Sequence, residues 1–206
     1  MTPLRMQPAR PPLPAEMQAA IDRLMPPGVP PLALFTTLAR SPRAFSRFMA
    51  AGLLDKGPLG LRERELMIDR TCARCASEYE WGVHMAAFAE RAGFTREQVA
   101  ATVAADAAAG VWSARDALVL RLADALHETS TIGDALWQEL RGAFSDEQIL
   151  ELILLAGFYH TVAYLTNGLR LPLEAFALRF PPQARPPGSL TGPVGIGERS
   201  APSSGA

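Results

Sequence analysis

Cysteine is scarce in this 206-residue chain: Cys72 and Cys75 are the only two, too few for a secreted disulfide framework, which leads us to expect a reducing, cytoplasmic setting. An excess of basic charge is also lacking. Twenty Lys and Arg against twenty-one Asp and Glu give a net charge of −1, so no surface rich in phosphate-neutralising cations is expected, and nucleic acid is not an expected partner. No uninterrupted apolar run approaches the roughly 20 residues that cross a bilayer, so no membrane span is expected. The opening MTPLRMQPARPPLP has arginines but no apolar stretch of signal-peptide length. No glycine-rich phosphate loop occurs, and none of the proline lies between Leu59 and Leu171.

Proline instead collects at the ends, with nine of eighteen before Leu32 and six after Phe180. That partition predicts three parts. Residues 1–30 form a Pro-rich arm with a short amphipathic helix carrying Met17, Ile21, Leu24 and Met25. Residues 31–178 form one helical domain, and residues 179–206 form a disordered Pro- and Gly-rich tail. Within the middle part the apolar spacing is helical throughout. Helices are predicted over 32–38, over 41–54 with Ser41 as cap and Pro42 at the first helical position, and from a Thr95/Gln98 capping box to about Ala109. Others run from Ser113 through His127, around 135–140, and from Ser145 to an Asn167-Gly168 stop. No run alternates with period two long enough to make a strand, so the fold class is all-α.

The chemistry concentrates in ELMIDRTCARCASEYEWGVH, residues 65–84. On a helical period Leu61, Glu65, Ile68 and Cys72 share one face, which turns a carboxylate inward among apolar neighbours. A second helix is predicted from Ser77, since Ser77 with Glu80 forms a capping box, and Trp81, His84 and Phe88 then line one side. If the chain reverses near residues 74–76, Glu65 and His84 face each other across a shared interior. A buried carboxylate needs a partner or a proton, and Arg62 or Arg70 could also supply one.

This stretch resembles the core motif of the carboxymuconolactone decarboxylase family, within the alkyl hydroperoxidase D-like superfamily, whose peroxidases carry Glu followed by Cys-x-x-Cys-x-x-x-His. Aligned on Glu65 and His84, the pattern sets Ser77 and Glu80 at the two cysteine positions, with Cys72 and Cys75 five residues early. The resemblance extends over roughly residues 31–173, including ARDALVLRLADALHETSTIGDALW and LLAGFYHTVAYLTNGL. It implies a helical bundle built around an antiparallel helical hairpin, no organic cofactor, and assembly into trimers or hexamers. It further implies an acid–base enzyme acting on a small carboxylated lactone or related metabolite. In that reading His84 donates the proton, Glu65 orients and charges it, Glu80 steers a substrate proton, Ser77 hydrogen-bonds the substrate, and Trp81 and Phe88 wall the pocket.

Two other classes remain open on the sequence. Cys72 and Cys75 could serve a thiol peroxidase of peroxiredoxin type with His84 as base, although the C-terminal end of a helix disfavours a thiolate. The family site could equally have become the scaffold of a non-catalytic helical oligomer. Cys72, Cys75 and His84 could in principle ligate zinc, but no second ligand pair accompanies them and no metal is expected. His127 stands at a helix end, where the macrodipole favours an imidazolium, and His160 lies in an apolar helix where a buried ring needs a partner.

Overall fold

The computed structural model describes residues 3–104 and 110–182. The described residues form nine helices and no strand: α1 (Ala15–Leu24), α2 (Ala33–Leu38), α3 (Pro42–Ala51), α4 (Leu61–Arg74), α5 (Glu78–Phe88), α6 (Arg96–Ala101), α7 (Ala114–Thr129), α8 (Asp134–Ala143) and α9 (Asp146–Leu169). Most of the tail lies outside the described residues. The helix expected to reach Ala109 is shorter, because α6 ends at Ala101 in a tight turn whose Thr102 side chain takes a hydrogen bond from Trp81.

The central hairpin arises from the end of α4. The Ser77 amide donates to the Cys72 carbonyl at 2.8 Å and the Ala76 amide to Ala73 at 3.0 Å, while Ala76 takes a left-handed conformation with φ of 52°. This closing pair of hydrogen bonds satisfies the last carbonyls of α4 and reverses the chain. Ala76 occupies a position where glycine carries no Cβ penalty, so the turn holds despite its local cost. The reversal brings α5 back along α4 and sets Glu65 against His84.

Ion pairs fix α4 beside α7. Arg62 pairs with Asp116 at 2.9 Å, Arg70 with Asp124 at 2.7 Å and Arg74 with Glu128 at 2.5 Å, each joining positions 54 residues apart, while Arg115 reaches back to Glu63 at 2.9 Å. A constant offset along two helices means that α4 and α7 run parallel and in register. Arg62 and Arg70 are therefore engaged by α7 and do not partner Glu65, as the sequence had allowed.

α9 crosses behind the hairpin, burying Leu152, Leu155, Tyr159, Val162 and Thr166 against it. With 24 residues and an 18-residue stretch of mean hydropathy 1.5, α9 is long and apolar enough by length and composition to cross a membrane, although Glu151 and His160 interrupt its apolar run. In this fold that apolar character covers the core, although Leu150, Leu154 and Tyr164 remain exposed on its outer face.

A C-terminal strap then returns over α5. The Leu178 amide donates to the Gly82 carbonyl at 3.0 Å, the Phe180 amide to Glu78 Oε1 at 3.0 Å, and the Phe180 ring tilts against Trp81 at 5.1 Å. Phe180 is buried, so packed structure continues past residue 178 into the segment expected to be disordered. Gly82 is needed for this approach, because a Cβ there would overlap the Leu178 carbonyl oxygen. Gly82→Ala should therefore destabilise the fold by about 1–3 kcal/mol, measurable by thermal or urea unfolding. An unchanged melting curve would mean that the strap does not dock this closely.

The N-terminal arm also docks. The Arg5 amide donates to the Leu169 carbonyl at 3.1 Å, the Ala9 amide to Thr36 at 2.8 Å, and Met17 and Ile21 of α1 are buried.

Candidate active site

His84 is the centre of a buried polar cluster. Its Nδ1 lies 2.7 Å from Glu65 Oε2, and both side chains are almost wholly enclosed. Its Nε2 faces the Tyr159 hydroxyl at 3.1 Å and Glu80 Oε1 at 3.4 Å. The ring is clamped by Phe88 at 5.4 Å and by the edge of Tyr159 at 5.2 Å. Glu65 receives a second hydrogen bond from Arg64 Nε at 3.2 Å, and the Arg64 Nη1 group donates onward to the Leu54 carbonyl at 2.9 Å. Tyr159 and Arg64 thus complete a set whose Glu65, Glu80 and His84 members were read from the sequence.

The electrostatics follow from this enclosure. Burial alone would push the His84 imidazole towards its neutral form, yet the Glu65 charge and hydrogen bond, with Glu80 adding to both, raise it from 6.5 to about 10. Asp69, one helical turn beyond Glu65, moves well above the ordinary 3.8, first through burial and then through repulsion by Glu65. Its Oδ1 has no hydrogen-bond partner. Burial, together with the Glu80 and Glu65 charges, likewise keeps Tyr159 a phenol. The geometry and these shifts describe an imidazolium whose Nδ1–H is fixed on Glu65 and whose Nε2–H points between Tyr159 and Glu80.

Both raised groups make the folded protein hold protons that the unfolded chain releases. For His84 the stabilisation is complete below about pH 6.5 and is lost as pH rises through about 10, while the Asp69 proton weakens the fold with the same sign from lower pH upward. Stability should fall between pH 7 and 9, at up to about 1.4 kcal/mol per pH unit for the His84 proton. His84→Gln should flatten that slope. Denaturant midpoints across the range measure it, and a wild-type curve already flat would remove the case for a raised His84.

A cavity of about 680 Å³ opens on the Nε2 side, within the usual size for a small-molecule site. Its wall combines His84, Glu80 and Tyr159 with apolar Leu34, Phe35, Val83, Phe88, Phe158 and Val162, and with Arg23, Arg64 and Arg91. Glu80 Oε2 is buried without a hydrogen-bond partner, leaving an acceptor for a substrate proton. Glu65 does not line the cavity; it acts from behind the imidazole.

Ser77 and Trp81 do not line this cavity either. Ser77 is the N-cap residue of α5, but its hydroxyl makes no cap bond and instead meets Thr166 Oγ1 of α9 at 2.9 Å. The Trp81 indole donates to Thr102 Oγ1 at 3.0 Å and packs on the strap. Both are diverted by neighbours remote in sequence. Phe88 does reach the cavity.

Neither thiol lines the cavity that His84 faces. Cys72 is buried and Cys75 half-buried, and neither is in a disulfide. Burial raises both, Cys72 well above its ordinary value with Glu80 adding, and Cys75 to about 11 against a small opposing effect of Arg74. Cys75 Sγ meets His127 Nδ1 at 3.7 Å, so the base nearest to it is His127 rather than His84. Burial lowers the His127 imidazole below its ordinary value, with His160 and Arg74 contributing, which overrides the helix-end preference for an imidazolium.

Residues 39–125, which include the whole hairpin, match the model of the Carboxymuconolactone decarboxylase family. The likeness spans less than half of the chain. An uncharacterized peroxidase-related protein from Silicibacter sp. TM1040 superposes on this chain with a TM-score of 0.73 at 20% identity, covering 85% of this chain and 94% of the other. An uncharacterized peroxidase-related protein from Ralstonia eutropha JMP134, described as an alkylhydroperoxidase AhpD core, does so at 0.67 and 18%, over 85% and 95%. The debrominase Bmp8 follows at 0.63 and 16%, over 83% and 92%. Such identities establish the shared helical fold. No curated protein matches the sequence.

Proposed function

We propose that this chain is a carboxymuconolactone decarboxylase-like, cofactor-independent acid–base enzyme acting on a small, largely apolar carboxylate, with carboxylated lactones and β-keto acids as the substrate class. One observation carries the reading: His84 has one nitrogen locked on a buried carboxylate and the other directed into an apolar cavity. An imidazole in that position is a general acid. In a decarboxylation the bond to the carboxylate carbon breaks, carbon dioxide leaves, and the electron pair stays on the substrate as an enolate. The Nε2 proton then passes to that carbon, and the ring recovers a proton from solvent through the cavity. Glu80 Oε2 accepts a hydrogen bond from a substrate hydroxyl, and Arg23, Arg64 and Arg91 supply positive charge that favours an anionic substrate. The solvent-facing Leu150, Leu154 and Tyr164 on α9 suit assembly of copies, as the family resemblance implies.

The test is a screen of carboxylated lactones, β-keto acids and organic hydroperoxides with the full chain in deuterated water. Turnover of a carboxylate with one deuterium retained at the carbon that lost carbon dioxide supports the proposal. Turnover of hydroperoxides alone, abolished by Cys72→Ala, would transfer the case to a thiol peroxidase.

A further inference from the structure

A second cluster of chemically competent side chains lies outside the His84 cavity and has no role in the proposed proton transfer. Cys75 at the C-terminal cap of α4, His127 in the last turn of α7 and His160 in the middle of α9 bring one potential ligand atom each to within 4.8 Å of one another. Three separate helices thus converge on one point. We propose that Cys75, His127 and His160 form a binding site for one divalent metal ion of the zinc class, with its fourth position open to water or a small ligand.

The distances support coordination. Bonds of about 2.0–2.1 Å to nitrogen and about 2.3 Å to sulfur, at tetrahedral angles, place two nitrogens about 3.3 Å apart and sulfur about 3.6 Å from nitrogen. Here His127 Nδ1 lies 3.1 Å from His160 Nε2, and Cys75 Sγ lies 3.7 Å from His127 Nδ1. Two edges of the tetrahedral face are therefore set with little adjustment, and the third, Cys75 to His160, is within 4.8 Å.

The orientation of His160 supports the same conclusion. Its Nδ1–H donates to the Ala156 carbonyl at 2.8 Å, which fixes the tautomer and leaves the Nε2 lone pair directed at the cluster. An outward hydrogen bond of this kind is how metal-ligating imidazoles are usually held. Cys75 is restrained in turn, since the Asn167 side chain donates to its backbone carbonyl at 2.9 Å. One thiolate with two imidazoles suits zinc and its d-block neighbours and not the hard, oxygen-seeking magnesium or calcium. The nearby Arg74 charge is engaged by Asp124 and Glu128, which limits its repulsion of a cation.

The cluster opens on a cavity of about 800 Å³, separate from the one that His84 faces and lined also by Ile153, Gly157 and Tyr164. That space leaves a coordination position free, as in three-ligand catalytic sites and unlike closed four-ligand structural ones.

Cobalt(II) titration of the reduced, chelator-treated full chain tests the site. The expected result is one cobalt per chain, with intense visible bands of four-coordination and a near-ultraviolet thiolate-to-cobalt band, both erased by one equivalent of zinc. Cys75→Ser should abolish the thiolate band, and His127→Gln or His160→Gln should each weaken binding at least tenfold while circular dichroism stays native. His84→Gln should bind as wild type. Absence of stoichiometric binding by folded wild-type protein would overturn the proposal, as would a weak six-coordinate spectrum without the thiolate band. Loss of the band in His84→Gln with retention in His127→Gln would assign the ion to the other cavity, and also overturn it.

Discussion

His84→Gln is expected to lower kcat by about 10² to 10⁴, or roughly 3–5 kcal/mol of barrier, on whichever carboxylate the enzyme turns over. Glutamine keeps the hydrogen bond to Glu65 and much of the ring's volume but carries no transferable proton. Glu65→Gln should act differently, because Glu65 stays out of the cavity and works through the imidazole it holds at 2.7 Å. Its main effect should be on the pH profile. With Glu65 in place His84 stays protonated to about pH 10, so the rate should persist well into the alkaline range. Without that charge the alkaline limb should move to lower pH, which a purely structural glutamate would not cause. The double variant should be little slower than His84→Gln alone, since residues acting as one unit lose their effects together. Multiplying losses would contradict the relay.

Arg70→Ala is expected to have the largest effect on stability, about 3–5 kcal/mol. The guanidinium is almost wholly buried and donates four hydrogen bonds: to both oxygens of Asp124 at 2.7 and 2.9 Å, and through Nη1 to the Thr102 and Ala104 carbonyls at 2.9 and 2.7 Å. Truncation leaves two carbonyls without this donor and Asp124 with only the more distant Arg74, at 3.5 Å, and it removes one of the ties between α4 and α7. Roughly 10 °C of melting temperature should be lost, at about 2–4 °C per kcal/mol for a chain of this length. Arg70→Lys should recover part of it, because a single ammonium cannot span both sets of acceptors. A loss under about 1 kcal/mol for the alanine variant would mean that the register of α4 on α7 is held elsewhere.

Residues 65–84 could be read from sequence because helical spacing alone sends Glu65 and His84 inward, and a left-handed turn after Cys75 needs no distant partner. The residues misjudged were those whose neighbours come from far along the chain. Ser77 satisfies the local capping pattern, yet Thr166 of α9 takes its hydroxyl, and Trp81 shares a helical side with His84 but is drawn to Thr102 and the strap. Tyr159 was passed over for the adjacent His160. The α9 pattern held the signal: Leu152, Leu155, Tyr159, Val162 and Thr166 fall on one buried stripe, so the tyrosine faces the core and the histidine beside it turns away. Arg64 was hidden because adjacent helical positions normally diverge, and only a long arginine can fold back to its neighbour. The grouping of Cys75, His127 and His160 depends on the ends of α4 and α7 meeting the middle of α9 and left no trace in local spacing.

The protonation of His84 can be observed directly, without a substrate, by nitrogen-15 NMR of the labelled imidazole in the folded full chain at pH 8. Proton-transfer chemistry of the proposed kind predicts that both ring nitrogens carry protons, that the ring titrates only near pH 10, and that Glu65→Gln brings the transition down. A neutral His84 with a single protonated nitrogen at pH 8, unaltered by Glu65→Gln, would contradict it.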